Sequence, residues 1–275
     1  MTHDDLSRTT HHLRRTIVKY VAFARVGFAR SRAEPAELYA RVAFFFLILG
    51  VFSALWRAVG LGRTSVGGDP HTLVWYIAMT EWILLSAPQA QFQIEDEIRR
   101  GDVAYQIARP VSYLGAHFAQ CAGALVARFP VLLAAAFVAG WVFGGGAPSE
   151  PSAIVHTIAF GIGGSIVLTG YNVLLGLVAF WLGDIAPVYW IWQKLTFVLG
   201  GLLLPLPLYP ELVVRIARFT PFPALLTGPA SFMLDHPFFS AGNLAAALIV
   251  WAAVATAVAA TLFRRAARGL QLDGG

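Results

Sequence analysis

The chain has 275 residues, of which 57% are hydrophobic and only 13% charged, and its mean hydropathy is +0.66. A soluble globular domain carries about 25% charged residues, so this composition excludes a water-soluble surface and leaves a polytopic membrane protein. The formal charge of +5 rests almost wholly on arginine, because Lys19 and Lys194 are the only lysines.

Heavy use of Arg, Ala and Gly fits a GC-rich bacterial coding sequence. The one cysteine, Cys121, excludes an internal disulfide, and a cysteine-based metal cluster is not expected. The histidines at 3, 11, 12, 71, 117, 156 and 236 are scattered without HExxH spacing, so neither a metal site nor a catalytic site is expected. Gly163-Gly164-Ser165 hints at a protease-type serine, but Ile166 follows it and no histidine lies mid-span downstream.

In chain order, residues 1–16 are polar and lack the apolar core of a signal peptide. Between Arg8 and Arg32 stand seven basic residues and no acidic one. On a helical projection Leu13, Ile17, Tyr20, Val21, Ala24 and Phe28 share one face, with Arg14, Arg15, Lys19, Arg25 and Arg30 largely opposite. Residues 1–38 are therefore expected to form a basic helix in the membrane interface, its cations toward anionic lipid headgroups.

Apolar segments near 39–60, 71–93, 113–144, 153–182, 187–206 and 240–263 predict six transmembrane helices within an all-α domain over 39–265. The third and fourth exceed what a bilayer requires and are expected to tilt or project. Gly161, Ser165 and Thr169 form one row of small residues, and Ala253, Ala257 and Thr261 another; such rows suit close helix packing within a bundle or a dimer. Most tryptophans, among them Trp75, Trp82, Trp141, Trp181, Trp190, Trp192 and Trp251, fall toward segment ends as an interfacial belt would.

Basic residues set the orientation. The N-terminal arm, Arg99, Arg100 and Arg109, and Arg264, Arg265 and Arg268 share one side if the span count is even. Both termini, including a tail at 266–275, and the segment at 94–112 are thus expected in the cytoplasm. Arg57, Arg63, Arg215 and Arg218 fall against this rule. Residues 205–239 hold seven prolines amid Leu, Phe and Val. Proline removes helix donors, so short re-entrant extracytoplasmic helices are expected, their free backbone groups covered by protein or facing water.

Glu81 and Arg128 are charges near the middle of expected spans. A charge at mid-membrane costs ~2.5–3.5 kcal/mol on insertion scales. The two spans are antiparallel neighbours, so a Glu81–Arg128 pair is expected, either to lock the bundle or to line a substrate path. Asn172, Gln193 and Lys194 are read as structural.

The charged island at 94–112 interrupts the apolar pattern. Glu95 with Arg99 and Asp96 with Arg100 are i,i+4 pairs of the better orientation, worth only ~0.2–0.5 kcal/mol each. Gly101 breaks the helix, Asp102 can cap a second one, and Arg109 before Pro110 ends it. This helix–turn–helix elbow has the form of a docking surface for a soluble partner.

The run Glu-Ile-Arg-Arg-Gly-Asp-Val-Ala-Tyr-Gln-Ile-Ala-Arg-Pro-Val at 97–111 resembles the E-I-x-x-G-x-x-x-x-x-L-x-R-P signature that follows the second span in permease subunits of type-2 ABC exporters. The layout is similar too: a basic interfacial helix, six spans, the elbow, and Pro-rich re-entrant helices. Ile107 and Ala108 depart from the pair of leucines frequent in that family. The resemblance implies a permease of the bacterial cytoplasmic membrane that pairs with itself or a homologue and sits on cytosolic ABC ATPases. It further implies that the elbow residues Glu95, Asp96, Glu97, Arg99, Arg100 and Asp102 contact the ATPase, and that ATP and Mg are bound by the ATPase and no cofactor by this chain. Lys19 precedes Tyr20 and Lys194 precedes Leu195, so neither lysine completes a P-loop. Expected partners are the ATPase, the second permease and membrane lipids, with no nucleic acid, and an amphipathic or lipid-like cargo. The alternatives are a proton- or ion-coupled carrier using Glu81 and a non-transporting membrane scaffold.

Overall fold

A computed structural model describes residues 3–59, 70–107, 111–148, 150–234 and 236–273. Arg63 and the Arg109-Pro110 stop lie outside the described residues. The described chain is helical: α1 (His3–Ala33), α2 (Pro35–Val59), α3 (Pro70–Ser86), α4 (Ala90–Arg100), α5 (Asp102–Ile107), α6 (Tyr113–Gly144), α7 (Pro151–Leu177), α8 (Ala179–Leu182), α9 (Ala186–Leu199), α10 (Glu211–Ala217), α11 (Phe222–Leu225), α12 (Thr227–Ala230) and α13 (Ala241–Asp273). Helix starts follow local chemistry. Pro35 and Pro151 open α2 and α7, where a missing N–H costs nothing. Ser112 caps α6 by accepting from the Gly115 amide. Gly145 ends α6 in the left-handed region, φ 86°, which glycine enters without a Cβ clash.

Among the described residues, four helical stretches are long and apolar enough to cross a membrane: Pro35–Ala58, Tyr113–Gly144, Pro151–Leu182 and Ala241–Arg268. Two expected spans are shorter. The segment at 71–93 is cut at Ala87-Pro88-Gln89, leaving α3 with 17 residues. The segment at 187–206 ends at Gly200-Gly201, leaving α9 with 14. At 1.5 Å per residue these span about 25 Å and 21 Å.

The core forms around α3. From Leu73 to Met79, and again at Trp82 and Ile83, its side chains are buried on every side, against α2, α6, α7 and α12. Trp75 and Trp82 therefore belong to the core and not to an interfacial belt. Trp75 packs on Phe137 (centroids 5.4 Å apart) and against Gly140, where an added Cβ would come 2.8 Å from the indole. Trp82 packs on Phe129 (5.3 Å) and against Gly161, where a Cβ would lie 2.4 Å away. The row Gly161, Ser165 and Thr169 is thus internal, and Ser165 Oγ donates to Ile83 O at 3.1 Å. Ala253, Ala257 and Thr261 lie exposed on α13, whose buried stripe includes Leu244, Leu248, Ala255, Ala259 and Ala266.

The broken stretch after α9 enters the interior at residues 200–206 and again at 222–231, the latter all buried. Buried carbonyls need donors, and hydroxyls supply them. Tyr76 Oη donates to Gly201 O, Thr80 Oγ1 to Leu202 O (2.9 Å), Thr227 Oγ1 to Gly200 O (2.6 Å) and Thr157 Oγ1 to Pro229 O (3.0 Å). Of the cations that break the charge rule, the three within the described residues have partners. Arg57 donates to Phe143 O near the C-terminus of α6, Arg215 pairs with Glu211 (2.8 Å), and Arg218 stands over the Phe238 ring.

Helix α1 lies along the first half of α6. Its inward face is Tyr20, Ala24, Gly27 and Ser31, whereas Ile17, Val21 and Val26 stay exposed. The two backbones nearly touch. A Cβ on Gly27 would sit 2.0 Å from Gln120 O, and one on Gly123 would sit 1.8 Å from Ala24 O. A Gly123→Val substitution should cost about 1–3 kcal/mol by overpacking and free α1 from α6. Limited proteolysis would then cleave the N-terminal helix faster than in wild type, with a lower Tm; unchanged cleavage would contradict the close crossing.

Candidate functional site

The elbow is α4, Gly101 and α5. Gly101 closes α4 at φ 77°, its N–H bonding to Glu97 O and Ile98 O, and α5 begins at Asp102. One face of α4 (Ala90, Gln91, Ile94 and Glu95) is buried against the end of α7 and α8. There Gly176 lets Ile94 approach so closely that an added Cβ would sit 2.7 Å from Ile94 Cβ.

The six carboxylates and guanidiniums named from sequence divide into two sets. Asp96, Arg99, Arg100 and Asp102 are exposed, with Arg100 2.9 Å from Asp96. Glu95 and Glu97 turn inward. Glu95 Oε1 receives the Ile185 amide at 3.4 Å, just before α9, and stands 3.7 Å from Arg99. Glu97 is bound on three sides: Tyr113 Oη donates to Oε2 (2.9 Å), His117 Nε2 lies 3.0 Å from the same oxygen, and Gln93 Nε2 donates to Oε1 (3.1 Å). These bonds fix the elbow to the first turns of α6. Tyr105, missed from sequence, projects from α5 and is 77% exposed. Its signal was its place two residues from Val103, the buried residue of that short helix.

Burial alone would raise the Glu97 carboxyl. The His117 hydrogen bond and charge, then Gln93 and Tyr113, outweigh it and bring the group from 4.5 down to about 2. Because the folded value lies below the unfolded one, its stabilisation is complete above about pH 4.5 and is lost as pH falls toward 2.

Arg128 does not pair with Glu81. Its Nη2 meets Glu37 at 3.1 and 3.2 Å, and its Nε donates to Ser31 Oγ (3.0 Å). Arg41 joins the same carboxylate at 2.7 Å and donates to Leu85 O at the end of α3 (2.7 Å). This cluster ties the α1–α2 junction to α6 and α3. The physical reason is rotational register. Trp82, one residue on, holds the α6-facing position of α3 and donates to Phe129 O (3.3 Å), so Glu81, about 100° round the helix, faces α2 and α9 instead. It lines a cavity there with Arg41, Phe44, Tyr189 and Trp192. Asn172 donates to Pro88 O across the break after α3 (3.0 Å), Gln193 Nε2 to Tyr189 Oη at 3.4 Å, and Lys194 lies over the Trp190 and Phe197 rings.

No group of three or more His, Cys, Asp or Glu side chains suited to a metal occurs among the described residues. The elbow, set between α3 and α6, thus has a buried face braced on its neighbours and an exposed outer row of charged side chains. The profile of the ABC-2 family transporter proteins matches residues 71–274, a span that includes the elbow and every helix from α4 on. The chain belongs to the ABC-2 transporter family. A comparison with curated proteins gives no match. This ABC-2 permease is a membrane protein of a transporter family, and the matched region excludes α1 and α2, which supply Ser31, Glu37 and Arg41 to the cluster on Arg128.

Two outcomes follow for the permease. Glu97→Gln removes the charge and replaces one of the two acceptor oxygens with NH2, so that either Gln93, or Tyr113 and His117, faces a donor, and should cost about 1–3 kcal/mol; the Tm gap from wild type in detergent should narrow as pH falls from 4.5 toward 2, and a gap constant with pH would refute the ionised brace. In double-mutant cycles read by thermal unfolding, Glu37→Gln with Arg128→Met should couple by about 0.5–3 kcal/mol. Glu81→Gln with Arg128→Met should show no coupling; the reverse ranking would refute the pairing.

Proposed function

We propose that the chain is the membrane-spanning subunit of an ATP-driven exporter in the bacterial cytoplasmic membrane. Two copies, or one copy and a homologue, would stand on a pair of cytosolic ABC ATPases that bind the ATP and Mg. In this reading both termini and the elbow face the cytoplasm. The six crossings are the four long stretches plus α3 and α9. A helix as short as α3 can serve because protein, and not lipid, surrounds it. Residues 205–239 then lie in the outer half of the membrane, with the hydroxyl bonds at Gly200, Gly201, Leu202 and Pro229 making that depth tolerable.

The observation that carries the reading is the division of the elbow. Asp96, Arg99, Arg100, Asp102 and Tyr105 point outward, while Glu95 and Glu97 tie the same helix to the start of α9 and to α6. An ATPase closing on the outer row would move α4 as a lever and carry α6 and α9 with it. The four long apolar stretches and the apolar cavity walls favour an amphipathic or lipid-like cargo, and its outward direction rests on the family resemblance alone.

The test is co-expression with the candidate ABC ATPases of the same genome. The triple variant Asp96→Lys, Arg100→Glu, Tyr105→Ala should reduce ATPase recovery roughly tenfold or more, about 1.4 kcal/mol, while its Tm stays at the wild-type value. Full ATPase recovery with the triple variant, or gradient-driven uptake by the chain alone, would overturn the proposal.

A further inference from the structure

Glu81 sits 2% exposed in the middle of α3, and its Oε2 is enclosed without a hydrogen-bond partner. Gln91, 1% exposed at the start of α4, has its Oε1 in the same condition. Both residues line one cavity of about 220 Å³ between α2, α3, α7 and α9. Two buried acceptors without donors in one cavity are costly, and an ionised carboxylate without a counter-charge more so. The cavity's other walls include four aromatic rings, Phe44, Tyr189, Trp192 and Phe197. Trp192 is held in place between Tyr171 (5.0 Å) and Phe222 (4.8 Å).

The lining contains one cation, Arg41, but its guanidinium is already committed to Glu37 and to Leu85 O. The lining group left without a partner is the Glu81 carboxyl, which a bound cation would hold in its ionised form. A hard metal ion prefers six or more oxygen ligands in a tight shell, whereas this cavity offers a few oxygens, much more room than one ion fills, and aromatic faces. Aromatic faces attract an alkylammonium, and its positive charge would meet Glu81 and Gln91 together.

We infer that this cavity binds a small organic ammonium group, with Glu81 as counter-ion, Gln91 as acceptor and Phe44, Tyr189, Trp192 and Phe197 as the cage. Where the chain acts as a permease, the group belongs to the cargo or to a lipid headgroup; the binding itself does not depend on that reading.

The test is equilibrium binding of radiolabelled choline to the full chain in an uncharged maltoside detergent. One saturable site is expected. The uncharged carbon isostere 3,3-dimethylbutan-1-ol should compete roughly tenfold or more weakly than tetramethylammonium, and Glu81→Gln should weaken choline binding by a similar factor, with size-exclusion behaviour reporting that the variant is folded. Should Glu81→Gln not fold, Trp192→Leu and the isostere comparison on wild type decide the matter. Displacement by lysophosphatidylcholine at lower concentration than by choline assigns the group to a lipid; the opposite ranking assigns it to a free amine. No saturable site, equal competition by the isostere, or undiminished binding by folded Glu81→Gln would each overturn the proposal. None of these outcomes touches ATPase recovery, which tests the exporter reading separately.

Discussion

Inside an apolar interior, every backbone group that leaves a helix must find a partner, and this constraint governs the fold. The chain abandons helix after Leu199 and does not resume a long one until Ala241. It can do so because Tyr76 and Thr80 on α3, with Thr157 and Thr227, deliver hydroxyl donors to the stranded carbonyls. That in turn requires α3 to lie at the centre, which the glycines at 140 and 161 allow by making room for Trp75 and Trp82. A helix in that position can be short, since lipid does not reach it.

The same logic extends to the charges. Arg41 satisfies Leu85 O at the end of α3 while bound to Glu37, and Arg128 meets that same carboxylate from α6. The junction between α1 and α2 is thereby fastened to both helices that flank the elbow. Just beyond it, the elbow's inner carboxylates make the next ties, Glu97 to α6 and Glu95 to the start of α9. Movement imposed on α4 thus has defined recipients. Among the described charges, Glu81 Oε2 and Arg128 Nη1 are enclosed without partners, and the Glu81 oxygen lies in a cavity walled by aromatic rings.

Much of the layout was legible in the residues because it rests on local chemistry. The apolar segment at 113–144 coincides with α6 because Ser112 caps its start and Gly145 its end. The elbow's turn was legible in Gly101, and the broken segment in its prolines. Rotational register was not legible. Nothing in the spacing of Glu81 and Arg128 tells that Trp82 takes the α6-facing position, or that Arg128 meets Glu37, 91 residues away. The inward turn of Glu95 was accessible, since Ile94 and Ile98 mark the apolar side of α4 and position 95 adjoins it. Glu97 was not, because its partners Tyr113 and His117 belong to the next helix. The interior position of Trp75 and Trp82 was hidden by the ordinary association of tryptophan with membrane interfaces.

What unites these observations is a division along one short helix: inner carboxylates fix it to its neighbouring helices, and the outer charges, bonded only along the helix itself, stay exposed. A cryo-electron-microscopy map of the chain assembled with its ATPase tests this most directly. The account predicts Asp96, Arg99, Arg100 and Tyr105 against the ATPase surface, with Glu97 still bonded to Tyr113 and His117. An elbow lying clear of the ATPase, or Glu97 released from α6 to face it, would contradict the account.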